Sequence, residues 1–217
     1  GKGLDEKKTD FVARVAQAIK KEVEGLNLIA CNGTASMEQL TYLKAHGIES
    51  YNHNLETSKR YYPEICQTHG WDERYRTCEN VKSVGLTLCT GGIFGMGEGE
   101  QDRSDLLEAI ASLKPQSTPL NFYHPNPALP IKTRNIGLDE AVEVIQKARK
   151  RLGEDTLLMV AGGRELLFGG NENRMFEAGA NAMVVGHYLT TKGSEPLKDQ
   201  HMLQSLGYEI ATTCEKH

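Results

Sequence analysis

The chain has 217 residues, 25% of them charged and 39% hydrophobic, ordinary proportions for a globular protein of about one domain. Its net charge of −4 offers no basic field for nucleic acid or an anionic membrane surface. No apolar run approaches the ~18 residues of a bilayer-spanning helix and no secretory leader is visible, so neither membrane nor nucleic acid is expected as a partner.

In chain order, apolar spacing predicts a helix over 6–23, with Phe11, Val12, Val15, Ile19 and Val23 on one face and a stop at Gly25. A buried strand follows at 27–31. A helix over 36–47 begins with Ser36 and Gln39 at capping-box spacing and ends on Gly47. Strands are then expected at 48–54, 86–92, 118–124, 156–163 and 181–188, and helices at 71–85, 100–114, 138–153, 173–179 and 197–207. Six strands, each followed by a helix, imply parallel pairing covered by helices. An open doubly wound sheet and a (β/α)8 barrel both fit this order. With a helix leading, the simplest reading is a TIM-type barrel lacking two strands and one helix from its front. Gly rather than Met stands first, as expected of a trimmed or processed piece or of a chain with its initiator removed. An open barrel exposes strand edges, so a homodimer that closes the gap is one expectation.

Every expected strand ends on polar residues: Cys31, Asn52 with Asn54, Cys89, Asn121, Arg164 and His187. In parallel α/β folds the carboxyl ends of strands form the functional rim. Taken singly, each residue also has a plain reading. Cys31 and Cys89 suit an apolar strand, the asparagines suit turn backbone, and His53 and His187 suit the core. Arg164 must bind an anion or pair with a carboxylate such as Glu165. Gly92, Gly95 and Gly97 mark either a turn or a ligand loop; they match neither a P-loop nor a dinucleotide fingerprint. The five cysteines are Cys31, Cys66, Cys78, Cys89 and Cys214, odd in number and widely spaced. That argues against a secreted disulfide framework and for a reducing cytoplasm. Cys66, Cys78 and Cys214 read as structural, and the 217 residues contain no C-x-x-x-C-x-x-C.

Four segments together resemble the biotin synthases, a radical S-adenosylmethionine (SAM) family: YNHNLETS at 51–58, CTGGIFGMGE at 89–98, AGGRE at 161–165 and AGANAMVVGHYLTTKG at 178–193. The resemblance implies one partial radical SAM barrel domain over 1–217, the C-terminal three quarters of a full barrel, with no second domain. It also implies insertion of sulfur into dethiobiotin to form biotin. A [4Fe-4S] cluster would reduce SAM, a [2Fe-2S] cluster would supply sulfur, and a flavodoxin or ferredoxin would donate electrons. Cys31, Cys89 and Arg164 resemble three ligands of the [2Fe-2S] cluster. Asn54, Glu56, Arg74 and Ile93 resemble the SAM-binding set, with Asn54 and Glu56 toward the ribose, Arg74 toward the methionine carboxylate and Ile93 toward adenine. Asn52 and Asn121 resemble the amides that hold the ureido ring. Glu56 stands where the family usually has Asp, and the segment NPALP at 126–130 departs from the family's substrate loop. Without the [4Fe-4S] cysteines, these residues alone are expected not to turn over. Two other readings remain open: another radical SAM enzyme acting on a small heterocycle, and a non-catalytic small-molecule-binding remnant.

Overall fold

The computed structural model describes residues 3–188 and 193–211. Cys214 and part of the 178–193 motif lie outside the described residues. The elements run α1 (Glu6–Glu22), β1 (Ile29–Ala30), α2 (Met37–Ala45), β2 (Ser50–Asn52), α3 (Tyr62–Ile65), α4 (Trp71–Ser83), β3 (Thr87–Cys89) and β4 (Gly92–Phe94). They continue with α5 (Glu100–Ser112), β5 (Ser117–Phe122), α6 (Leu138–Leu152), β6 (Leu157–Val160), α7 (Arg164–Phe168), α8 (Asn173–Glu177), β7 (Ala182–Met183) and α9 (Pro196–Ser205).

Local chemistry explains where the helices start. Asp5 caps α1 by accepting from the Lys8 amide at 2.9 Å. The capping box on α2 is formed as its spacing predicts: Ser36 N donates to Gln39 Oε1 at 2.8 Å and Gln39 N to Ser36 Oγ at 3.3 Å. Three later helices share another device. A glycine at the N-cap donates its own amide to an acid three residues on: Gly70 to Glu73 at 3.1 Å, Gly99 to Asp102 at 3.1 Å and Gly137 to Glu140 at 2.8 Å. Each carboxylate also sits against the positive end of its helix dipole.

All strand pairings are parallel, in the order β1-β2-β3-β5-β6-β7, and β4 joins the sheet by pairing with β5. Helices cover the sheet and bury Leu40, Leu88, Ile110, Leu120, Phe122 and Val160 in one core. Among the described residues β1 and β7 are the two ends of the sheet, and they do not pair with each other.

The strand expected over 86–92 proves to be two. β3 pairs with β2 and meets β5 at Cys89↔Ser117. The chain then steps at Thr90–Gly91, and β4 pairs with β5 through Gly92↔Leu120, Ile93↔Asn121 and Phe94↔Phe122. Glycines are required here by contact rather than by turning. A Cβ on Gly91 would lie 1.9 Å from the Pro119 carbonyl oxygen, and one on Gly92 2.8 Å from that of Glu56. Part of the glycine segment is therefore strand, which sequence alone read as turn or ligand loop.

Helices α3 and α7 were also not expected, being too short to carry a period. Strand β7 is shorter than the expected 181–188: after Val184 N donates to Val160 O, the chain turns at Gly186, where φ is 87°. Beyond β4, the Glu98 carboxylate accepts from Gly95 N and Met96 N, both at 2.7 Å, and from Arg103 Nε at 2.9 Å. Both partners of this ion pair are buried. Glu98→Ala should therefore lower stability by about 3–5 kcal/mol, because Arg103 and two amides lose their acceptor. Urea unfolding measures it, and a loss under about 1 kcal/mol would contradict this account of the turn.

Candidate functional site

The carboxyl ends of the first three paired strands present chemistry at one level. Asn52 ends β2, Cys89 ends β3, and the two are register partners. Ala30 is in register with Tyr51, which brings Cys31, the next residue, level with Asn52. Cys31 is exposed at the rim and Cys89 is buried. Burial pushes the Cys89 thiol up against a hydrogen bond from Ser117, with a smaller push from Cys31; burial and the neighbouring Glu56 do the same to Cys31.

Past β2 the chain runs beside β3 and β4. His53 N donates to Cys89 O at 3.0 Å, Leu55 N to Gly91 O at 2.9 Å and Ile93 N to Glu56 O at 2.7 Å. This backbone lattice holds Glu56 at φ 69°, a left-handed conformation that costs a non-glycine residue about 1–2 kcal/mol. Arg74, reaching over from α4, donates through Nε to Asn54 O at 2.6 Å and through Nη2 to Glu56 Oε1 at 2.7 Å. Burial pushes the Glu56 carboxyl up against the pull of Arg74. The Asn54 side-chain oxygen accepts from Gly91 N at 3.1 Å. Asn52 Oδ1 is buried without a hydrogen-bond partner. His53 is buried with its Nε2 unpartnered, and burial takes its imidazole down to about 3.

Asn121 reaches the same rim as a clip between backbones: Nδ2 donates to Gly92 O at 3.1 Å and Oδ1 accepts from Gly162 N at 3.0 Å. Asn52, Asn54, Glu56, Arg74, Ile93, Asn121 and the two cysteines therefore share one stretch of rim.

Arg164 is turned elsewhere. It is wholly buried, donating to Asp199 at 3.1 and 2.9 Å and to Val184 O at 3.3 Å, with Glu165 at 3.1 Å. Of the two readings left open for it, pairing with a carboxylate is the one seen, and Asp199 on α9 contributes more than the neighbouring Glu165. His187 is not in the core; it is exposed, 3.9 Å from Glu195. Cys78 is buried in α4, as expected. Cys66, read from sequence as structural, caps α3 and is partly open to solvent.

The donor set fits a cluster only in part. Two level thiols suit two positions of a [2Fe-2S] cluster. Arg164, the third residue of that set, is held through its terminal nitrogens by Asp199 and Val184, and its Nε is buried without a partner. Among the described residues no group of three or more His, Cys, Asp or Glu side chains converges as a metal site. Sequence reasoning also missed Asp199, His69 and Glu98. Asp199 acts through a partner distant in the chain and Glu98 largely through backbone amides, so neither has a local signature; the partners of His69 lie within seven residues of it but form no periodic pattern.

Two family models match this chain, the Radical SAM superfamily over residues 5–110 and the Biotin and Thiamin Synthesis associated domain over 119–209. The biotin synthase of a Sulfurovum species is 75% identical over 217 residues, 100% of this chain and 76% of that protein. The chain belongs to the biotin synthase family. A second family member, from a Nitratiruptor species, is 55% identical over 216 residues, covering 77% of its length. The hydrogenase maturase HydG from Carboxydothermus hydrogenoformans superposes with a TM-score of 0.79 at 15% identity, over 99% of this chain and 55% of that one, a likeness of fold alone. The sheet described above is thus part of a radical SAM barrel.

In this member of the biotin synthase family, α9 is held largely by charge, since Asp199 is its buried residue. Asp199→Ala should cost about 3 kcal/mol by leaving Arg164 buried and short of a partner, whereas Arg164→Met with Asp199→Leu should recover most of it. Urea unfolding of both variants, with limited proteolysis near 195–207, checks this. A double variant no more stable than the single would contradict it.

Proposed function

We propose that the rim binds SAM and dethiobiotin side by side, and that the chain serves the sulfur insertion by which biotin synthases make biotin. Residues 1–217 act in this reading as one barrel domain. The observation that carries it is the buried, unpartnered Asn52 Oδ1 two residues before the Asn54–Glu56–Arg74 cluster. A buried acceptor without a donor costs about 1–3 kcal/mol, so the position favours a ligand that brings an N–H, as a cyclic urea does.

The residues then divide the work. Arg74 takes one Glu56 oxygen, and the other is available to a ribose hydroxyl. Glu56 is one methylene longer than the family's usual Asp, and the left-handed turn at that residue sets where its longer side chain ends. The Arg74 guanidinium, held in place at Nε, Nη1 and Nη2, presents fixed charge to a carboxylate. Ile93 offers an apolar side chain on β4 for adenine to lie against. Asn121, with both ends of its amide engaged, holds β4 against the β6–α7 turn and shapes the substrate side. Cys31 and Cys89 would hold part of a [2Fe-2S] cluster. When bound, the iron–sulfur clusters supply the electron and the sulfur. A flavodoxin or ferredoxin is the reductant.

Asn52→Ala in the full chain should weaken dethiobiotin about tenfold or more and leave SAM affinity within about twofold. Glu56→Ala should do the reverse. Equilibrium dialysis of each ligand reads both effects. If Asn52→Ala lowers both affinities equally, the separate roles are wrong.

A further inference from the structure

Beside the rim, on the outer face of the barrel, a cavity of about 470 Å³ opens between α3, the following loop and the start of α4. Tyr62, Pro63, Cys66, His69 and Trp71 line it. The Cys66 sulfur sits 3.5 Å from His69 Nδ1 and 3.5 Å from Thr68 Oγ1.

The tautomer of His69 follows from its neighbours. Arg74 Nη1 lies 3.2 Å from His69 Nε2, and a guanidinium has only donors. Nε2 is therefore the acceptor, taking the Tyr62 hydroxyl hydrogen as well at 2.9 Å. The ring hydrogen is on Nδ1, facing Cys66 and Thr68. That hydrogen lies nearest Thr68 Oγ1, at 3.0 Å, which leaves the Thr68 hydroxyl hydrogen for Cys66; His69 thus stands on the donor side of Cys66, chiefly through Thr68, rather than acting as its base, and donors favour a thiolate. Burial acts to raise the Cys66 thiol, but hydrogen bonds from the Thr68 hydroxyl and from the backbone of Thr68 and His69 act against it, and the thiol comes down to about 7. Cys31, also accessible, is raised instead.

We propose that Cys66 is a thiol–disulfide exchange site for low-molecular-weight disulfides, donor-assisted by His69 and coupled through Arg74 to the SAM-binding cluster. The coupling rests on the SAM reading given above; the exchange site does not. The Cys66 thiolate attacks one sulfur of the disulfide. That S–S bond breaks as the new one forms, and the other half leaves as a thiolate that takes up the proton Cys66 released. The adduct occupies the cavity and removes the sulfur from His69 Nδ1. Because Arg74 also holds Asn54 O and Glu56, a shifted His69 ring disturbs the cluster from behind.

The test treats the full chain with oxidised glutathione at pH 7 and follows each cysteine by peptide mass spectrometry, with SAM affinity measured before and after. Cys66 should be modified about tenfold faster than Cys31, and Cys66→Ser should carry no fast adduct. His69→Leu should slow the reaction about tenfold, while His69→Asn, which keeps a donor near the Nδ1 position, should retain most of the rate. The adduct should weaken SAM about fivefold or more, and dithiothreitol should restore it. Cys31 reacting first, or His69→Leu leaving the Cys66 rate unchanged, would overturn the exchange site. An adduct that leaves SAM affinity intact would overturn the coupling. An unmodified chain that binds no SAM would sink both the SAM reading and the coupling, and leave the exchange result standing.

Discussion

The rim depends on one close passage of backbone. Residues 91–93 run between residues 54–56 and β5, with Gly91 against the Pro119 carbonyl and Gly92 against that of Glu56. Any side chain at either position would push these segments apart. Their separation would break the bonds from Leu55 N to Gly91 O and from Ile93 N to Glu56 O, and with them the left-handed turn at Glu56. That turn aims Glu56 at Arg74, so the polar cluster inherits its shape from the absence of two Cβ atoms.

Around this lattice, two of the buried charge groups among the described residues are closed ion pairs. Glu98 and Arg103 close the turn after β4, and Glu140 and the Asn135 carbonyl complete the arginine's partners at 2.9 Å each. Arg164 and Asp199 close the far side of the sheet and dock α9. Desolvated charges of this kind add little net stability as pairs, yet breaking one is costly, so they act mainly to specify which segments meet. The cluster at Arg74 differs in being partly open, with acceptors and donors left for a ligand.

Much of the architecture was legible in residue order. The periods of α2, α4, α5 and α6 and their caps lie within a few residues of one another, so local pattern and final structure agree. Strand and helix alternation implied a parallel sheet, and strand ends implied the rim. The elements that escaped are those whose cause is not local. β4 exists because β5 supplies its partners, while α3 and α7 are single turns stabilised by what surrounds them. Of the candidate site, the nearness of Asn52, Asn54 and Glu56 was legible because YNHNLETS is one short segment at a strand end, although β2 stops at Asn52 and Glu56 turns left-handed. The partner of Arg164 was not: Asp199 lies 35 residues away in the chain, in a helix with an unremarkable pattern.

By itself, then, the sequence determined that this is a parallel β/α chain with a polar rim, because apolar period, glycine stops and caps are properties of neighbouring residues. Tertiary structure alone decided that Gly91 and Gly92 serve contact rather than turning, that Arg164 spends its charge on α9, and that His69 stands between Cys66 and Arg74. Those outcomes depend on which distant groups share a few ångströms of buried space. There, steric exclusion and the cost of an unpaired charge select partners that no local pattern encodes.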